Sequence, residues 1–168
     1  MRRILSWTAI VLTALVLQST VFARVTLVGA KPELVYLVTI VIAFLEGPTS
    51  GAVAGFTGGM AVDFLLNQPK GITALTLTLL GYAVGTLRQF VVTPSPLLPV
   101  VVAAGGTAAG VLFYGLVSFL LGGLGEGAAY LFRVALLSAL YNAVLTPLVF
   151  PVIRRVAEAS RPTKVFRW

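Results

Sequence analysis

The chain has no cysteine and no histidine, and only five of its 168 residues are carboxylates. The missing thiols exclude disulfides and thiolate metal sites. Without histidine or cysteine no Ser/His or Cys/His nucleophile pair can be built, and the common zinc, iron and acid–base constellations lose their ligands. Soluble catalysis is excluded on these grounds, and no cofactor or metal is expected. Charge is scarce as well: 10% of residues are charged against 58% hydrophobic, and the mean hydropathy is +1.02. That composition defines an integral membrane protein.

At about 20 residues per span there is room for roughly six helices with short loops and no separate soluble domain. A β-barrel is excluded because 4–22 and 100–121 are apolar all round, where barrel strands alternate. The fold class is therefore all-α, a single polytopic membrane domain over residues 1–168. Its spans cover about 4–23, 32–46, 48–66, 71–87, 97–121 and 128–150, with a basic cytoplasmic tail over 153–168. The first run follows Met1-Arg2-Arg3 like a signal peptide, but it is long and lacks a small-x-small cleavage site, so it reads as a retained helix. Pro147 and Pro151 should kink or end the sixth span.

Lys and Arg set the orientation. The two termini and the loop at Arg88 hold eight, while the opposite side holds Arg24, Lys31 and Lys70, so both termini are expected in the cytoplasm. The net charge of +7 is topological, because the basic residues sit at the ends of apolar runs and not on one interleaved face; no nucleic-acid partner is expected. The tail is read as attracted to anionic lipid head groups in preference to a cytoplasmic protein.

Gly47, Gly51, Gly55 and Gly59 are spaced four apart in GPTSGAVAGFTGGMAVDFLL, which makes one stripe along a helix. In lipid such a stripe is a close-packing surface. A second set, Gly105, Gly106, Gly110 and Gly115, is a candidate to face it. The first stripe leads to Asp63, a carboxylate in an apolar segment that must face protein or water. Arg133 in span six lies at a similar depth, so an Asp63–Arg133 ion pair is expected, with Lys70 or water as alternatives. A proton or cation site at Asp63 is the less favoured reading, since the other four carboxylates fall at helix ends or in terminal segments. An intramembrane aspartyl protease would need two carboxylates in spanning helices. Gln18, at the same end as Asp63, is read as hydrogen-bonding neighbouring helices or interfacial water in preference to binding a ligand.

These motifs resemble the rod shape-determining protein MreD family over most of the chain. The resemblance rests on Leu17-Gln18-Ser19-Thr20-Val21-Phe22, Pro32-Glu33-Leu34, Gly47-Pro48, then Gly51, Gly55-Phe56, Gly59 and Asp63, and Gly81-Tyr82-x-x-Gly85-x-Leu87-Arg88. Glu33 and Glu46 depart from it. The resemblance implies a non-catalytic scaffold in the bacterial cytoplasmic membrane that binds MreC directly. MreB, RodA and a class B penicillin-binding protein would complete the complex for lateral peptidoglycan synthesis and rod cell shape. It also implies a fold like the six-helix substrate-binding subunits of energy-coupling-factor vitamin transporters, and such a vitamin-binding subunit is the alternative function. On the scaffold reading, part of the glycine stripe or the group at Gln18, Asp63 and Arg133 contacts a partner's transmembrane helix.

Overall fold

The computed structural model describes residues 2–20, 32–65, 71–90, 95, 97–122 and 127–159, with side chains from Trp7 onward. They form six α-helices: α1 (Arg2–Thr20), α2 (Leu34–Glu46), α3 (Pro48–Leu65), α4 (Ile72–Leu87), α5 (Leu98–Leu120) and α6 (Ala128–Ala159), with a 3-10 turn over Arg88–Phe90. No strand occurs among the described residues. Arg24, Lys31, Lys70, Arg161, Lys164 and Arg167, on which much of the charge asymmetry rests, lie outside the described residues.

The short helix α2 is the centre of the bundle. Its sequence, LVYLVTIVIAFLE, holds no glycine or proline and is apolar on every side, so it can be covered all round. Every residue from Leu34 to Ala43 is buried, and α2 packs against all five other helices. Thirteen residues span about 20 Å, well short of a hydrocarbon core about 30 Å thick. Neighbouring helices, and not lipid, surround it.

Gly47 ends α2 with φ +93°, a left-handed conformation that favours glycine, and its N–H donates to the Ala43 carbonyl at 2.9 Å. Pro48 then opens α3 at the first helical position, where its missing N–H costs nothing. A side chain at Gly47 would meet nothing within 4 Å, so this glycine makes the turn and does not belong to the packing stripe.

Helices α3 and α4 form the most intimate pair, and glycine is the reason. A β-carbon at Gly51 would meet the Gly81 carbonyl oxygen at 2.6 Å; one at Gly55 would strike the Leu77 backbone, and one at Gly59 the Ala74 backbone. The contact is reciprocal, since Gly81 faces Gly51 and Gly85 faces Pro48. Pairs 48–85, 51–81, 55–77 and 59–74 descend one helix as they climb the other, an antiparallel register with backbones in contact along its length. The expected meeting of the two glycine sets does not occur: Gly106 and Gly110 of α5 admit Ile40 and Tyr36 of α2, and Gly115 admits Leu131 of α6.

Helices α5 and α6 are each long and apolar enough to cross a membrane. They present large apolar side chains outward, with Leu136, Leu140, Val144 and Leu148 of α6 forming an exposed stripe at intervals of four. The prolines do not end α6, which runs through Pro147 and Pro151 to Ala159, beyond the expected boundary at 150 and into the stretch expected to be tail. Packing holds the helix on both sides of them: Asn142 and Thr146 are buried before, Ile153 and Ala157 after. The carbonyls that proline leaves unpaired are tolerated within such a bundle.

Candidate functional site

Gln18, Glu33, Asp63 and Thr73 lie together at one end of the bundle, where α1 and α3 finish and α2 and α4 begin. The first turn of a helix has N–H groups without intrahelical partners, which must be satisfied when that end is buried. Two side chains do this from preceding helices. Gln18 of α1 accepts from the Val35 N–H at 3.0 Å through Oε1 and donates from Nε2 to the Glu33 carboxylate at 3.0 Å. Asp63 of α3 accepts through Oδ2 from the N–H groups of Gly71, at 2.9 Å, and Ala74, at 3.2 Å. Gly71 supplies the left-handed turn into α4, with φ +101°. Each side chain thus caps the helix that follows its own, and Asp63 places a carboxylate at the positive end of the α4 dipole.

This geometry replaces the expected Asp63–Arg133 pair. Asp63 is 1% exposed and bonded to backbone, whereas Arg133 is exposed on α6. Matched depth along two helices does not fix their rotation, and the N-terminus of α4 gives the carboxylate nearer donors. Lys70, the alternative partner, lies outside the described residues. The stripe needs the same correction: Gly51, Gly55 and Gly59 are filled by α4 of the same chain, so they offer no surface to a partner helix.

Asn142 is the residue that sequence reasoning passed over. It is fully buried; its Nδ2 donates to the Glu33 carbonyl at 3.0 Å and to Thr107 Oγ1 at 2.9 Å, tying α6 and α5 to the start of α2. Thr146 donates to the Asn142 carbonyl at 2.5 Å. An asparagine inside an apolar run was the available signal, because membrane interiors penalise a polar side chain without a protein partner. Two buried acceptors of this end, Asp63 Oδ1 and Asn142 Oδ1, have no hydrogen-bond partner.

Beside these residues lies a cavity of about 590 Å³. Its polar lining includes Gln18, Glu33, Tyr36, Thr73 and Tyr114, and its apolar lining includes Val62, Val111, Leu131 and Val134. Among the described residues no group of three or more acidic, His or Cys side chains is placed to hold a metal ion.

The opposite end is simpler. Arg88 donates from Nη1 to the Leu45 carbonyl at 2.9 Å, covering the C-terminus of α2, and its guanidinium lies 5.7 Å from the Phe44 ring centroid. Phe44 meets Phe150 edge-on at 6.2 Å, and Arg154 pairs with Glu158 one turn on.

Comparison with curated proteins and with solved structures found no match. A family model does match, that of the rod shape-determining protein MreD, and it covers residues 1–156. With nearly the whole chain matched, including the capped polar end and the α3–α4 hairpin, the protein belongs to the MreD family.

Proposed function

We propose that the chain is a non-catalytic scaffold subunit of the bacterial elongation machinery that binds MreC in the cytoplasmic membrane and supports lateral peptidoglycan synthesis. The family match over residues 1–156 carries this reading, because membership supports a role in rod shape determination. MreB, RodA and a class B penicillin-binding protein are its wider partners, and membrane lipids its surroundings. All six helices lie in the membrane, α2 as a short crossing enclosed by the other five, with both termini cytoplasmic; the eight-to-three distribution of basic residues and the even helix number support this.

Because α4 occupies the glycine stripe, the partner's helix docks on an outward face, for which the exposed apolar residues of α6 and of the α3–α4 hairpin are candidates. Co-expression of the full chain with full-length MreC tests the proposal. MreC should co-purify from detergent, and the loss of that recovery should follow substitutions on one outward face; absence of recovery with a folded chain contradicts it.

The second reading, a vitamin-binding subunit with the six-helix fold of energy-coupling-factor transporters, has the 590 Å³ cavity on its side. Thermal stabilisation by a vitamin, without MreC recovery, would favour it.

A further inference from the structure

We propose that the outer leaflet of the bilayer is thinned beside α1 and α4, where phospholipid head groups settle about 10 Å below their level beside α6, toward the capped end of the bundle. The inference rests on the orientation that puts both termini in the cytoplasm.

Helix α6 supplies the ruler. Arg133 and Arg154 are both exposed, and at about 1.5 Å per residue they stand about 31 Å apart along the helix. A hydrocarbon core is about 30 Å thick. Between the two arginines no polar residue of α6 is exposed. They therefore mark the two membrane surfaces on this side of the molecule, where long basic side chains reach water.

Other helices do not reach the outer mark. Leu45 of α2 and Arg88 at the end of α4 share a cleft with Arg154, so the three helices meet the inner surface together. From there α4 rises only about 24 Å over its 16 residues. Helix α2 begins at the level of Asn142, which donates to the Glu33 carbonyl and lies about 13 Å below Arg133 along α6. Gln18 accepts from the Val35 N–H, so α1, which ends two residues later at Thr20, stops close to the same level. Both α1 and α4 face lipid, with Leu12 and Val16 exposed on one and Leu75 and Leu79 on the other.

The α5–α6 hairpin alone continues outward. Burial stops at Val111 in α5 and starts at Ala135 in α6, and the cavity occupies the step between this hairpin and the recessed ends. Its lining runs from Gln18 and Tyr36 at the recessed level to Tyr130, which lies beyond Arg133 on α6, so the step opens to the outer surface. Hydrocarbon of full thickness would cover the polar ends of α1 and α4 and offer them no hydrogen bonds. A bilayer meets a short hydrophobic length by thinning, which brings head groups and water to those ends instead.

The chain has no cysteine, so single cysteines carry nitroxide labels without background. Thr20 and Leu140 are both exposed and lie at about the same level, one on α1 and the other on α6. Labels at Thr20→Cys, Leu140→Cys and Arg133→Cys are compared in vesicles of phosphatidylethanolamine and phosphatidylglycerol, with depth read by power saturation against oxygen and a water-soluble nickel chelate. The Thr20 label should match the Arg133 label at the surface and read about 10 Å shallower than the Leu140 label. Ser19→Cys, one residue earlier on α1 and also exposed, repeats the measurement should Thr20→Cys fail to fold. Side of membrane is read separately, from reaction of Glu158→Cys with an impermeant maleimide, which should occur only from the cytoplasmic side. Equal depths on α1 and α6 overturn the thinning; reaction of Glu158→Cys from the outer side overturns the orientation and with it the leaflet named.

Discussion

The backbone N–H of Ala74 donates to the Asp63 carboxylate at 3.2 Å, one helical turn from Gly59, whose missing side chain is what admits the Ala74 backbone. One turn of α3 therefore both makes room for α4 and caps it. Helix approach and helix-end chemistry are coupled there.

Removing the carboxylate separates the two functions. Asp63→Ala leaves the buried N–H of Ala74 and the half-buried N–H of Gly71 without their acceptor and should cost about 1–3 kcal/mol. Asp63→Asn keeps one acceptor oxygen and should lose less. Thermal unfolding in detergent measures both. The exchange Asp63→Arg with Arg133→Asp should assemble no better than Asp63→Arg alone, because the two residues do not pair.

Glycine substitutions should divide by what stands opposite. Gly55→Leu drives a side chain into the Leu77 backbone and should reduce folded yield severely, beyond the roughly 1–3 kcal/mol typical of overpacking. Gly105→Ala, facing open space on α5, should change stability by no more than about 0.5 kcal/mol. Expression and unfolding temperature of the pair form the comparison.

Gln18 and Asn142 meet at Glu33, one at its side chain and the other at its carbonyl. Interhelical hydrogen bonds in membranes average about 0.6 kcal/mol and reach about 1.7. Gln18→Ala and Asn142→Ala should each destabilise within or somewhat above that range, and the double variant should depart from additivity because both hold the same turn of α2. A double-mutant cycle in unfolding free energy tests the coupling.

At the other end, Arg88→Ala removes a bond to the Leu45 carbonyl and a ring contact from an exposed side chain. The loss should be about 0.5–1 kcal/mol, with Arg88→Lys recovering part of it. Disrupting the exposed Arg154–Glu158 pair should change stability by no more than about 0.5 kcal/mol.

Six helices, the tight turn at Gly47-Pro48 and the close-packing character of Gly51, Gly55 and Gly59 were legible in the sequence because each depends on local spacing or on a residue with one conformational use. The identity of what fills the stripe was not: a glycine face states that a backbone approaches, and in lipid a helix of the same chain and a partner's helix satisfy it equally. Asp63 was legible as an expensive carboxylate, but its partners are backbone N–H groups, which composition does not display, so Arg133 stood in for them. Pro147 and Pro151 signalled a helix end that the buried residues on either side override. The cavity has no local signature, since six helix ends contribute its walls.

Site-specific photo-crosslinking in cells expressing MreC compares the outward faces directly. Probes are placed at the outward residues Leu12, Phe56, Leu79, Leu136 and Leu140, and the glycines of the α3–α4 seam are left unsubstituted because a side chain there strikes the opposing backbone. Adducts to MreC should cluster on one outward face. Adducts from none of these positions in folded protein would contradict a scaffold whose glycine stripe is closed by its own fourth helix.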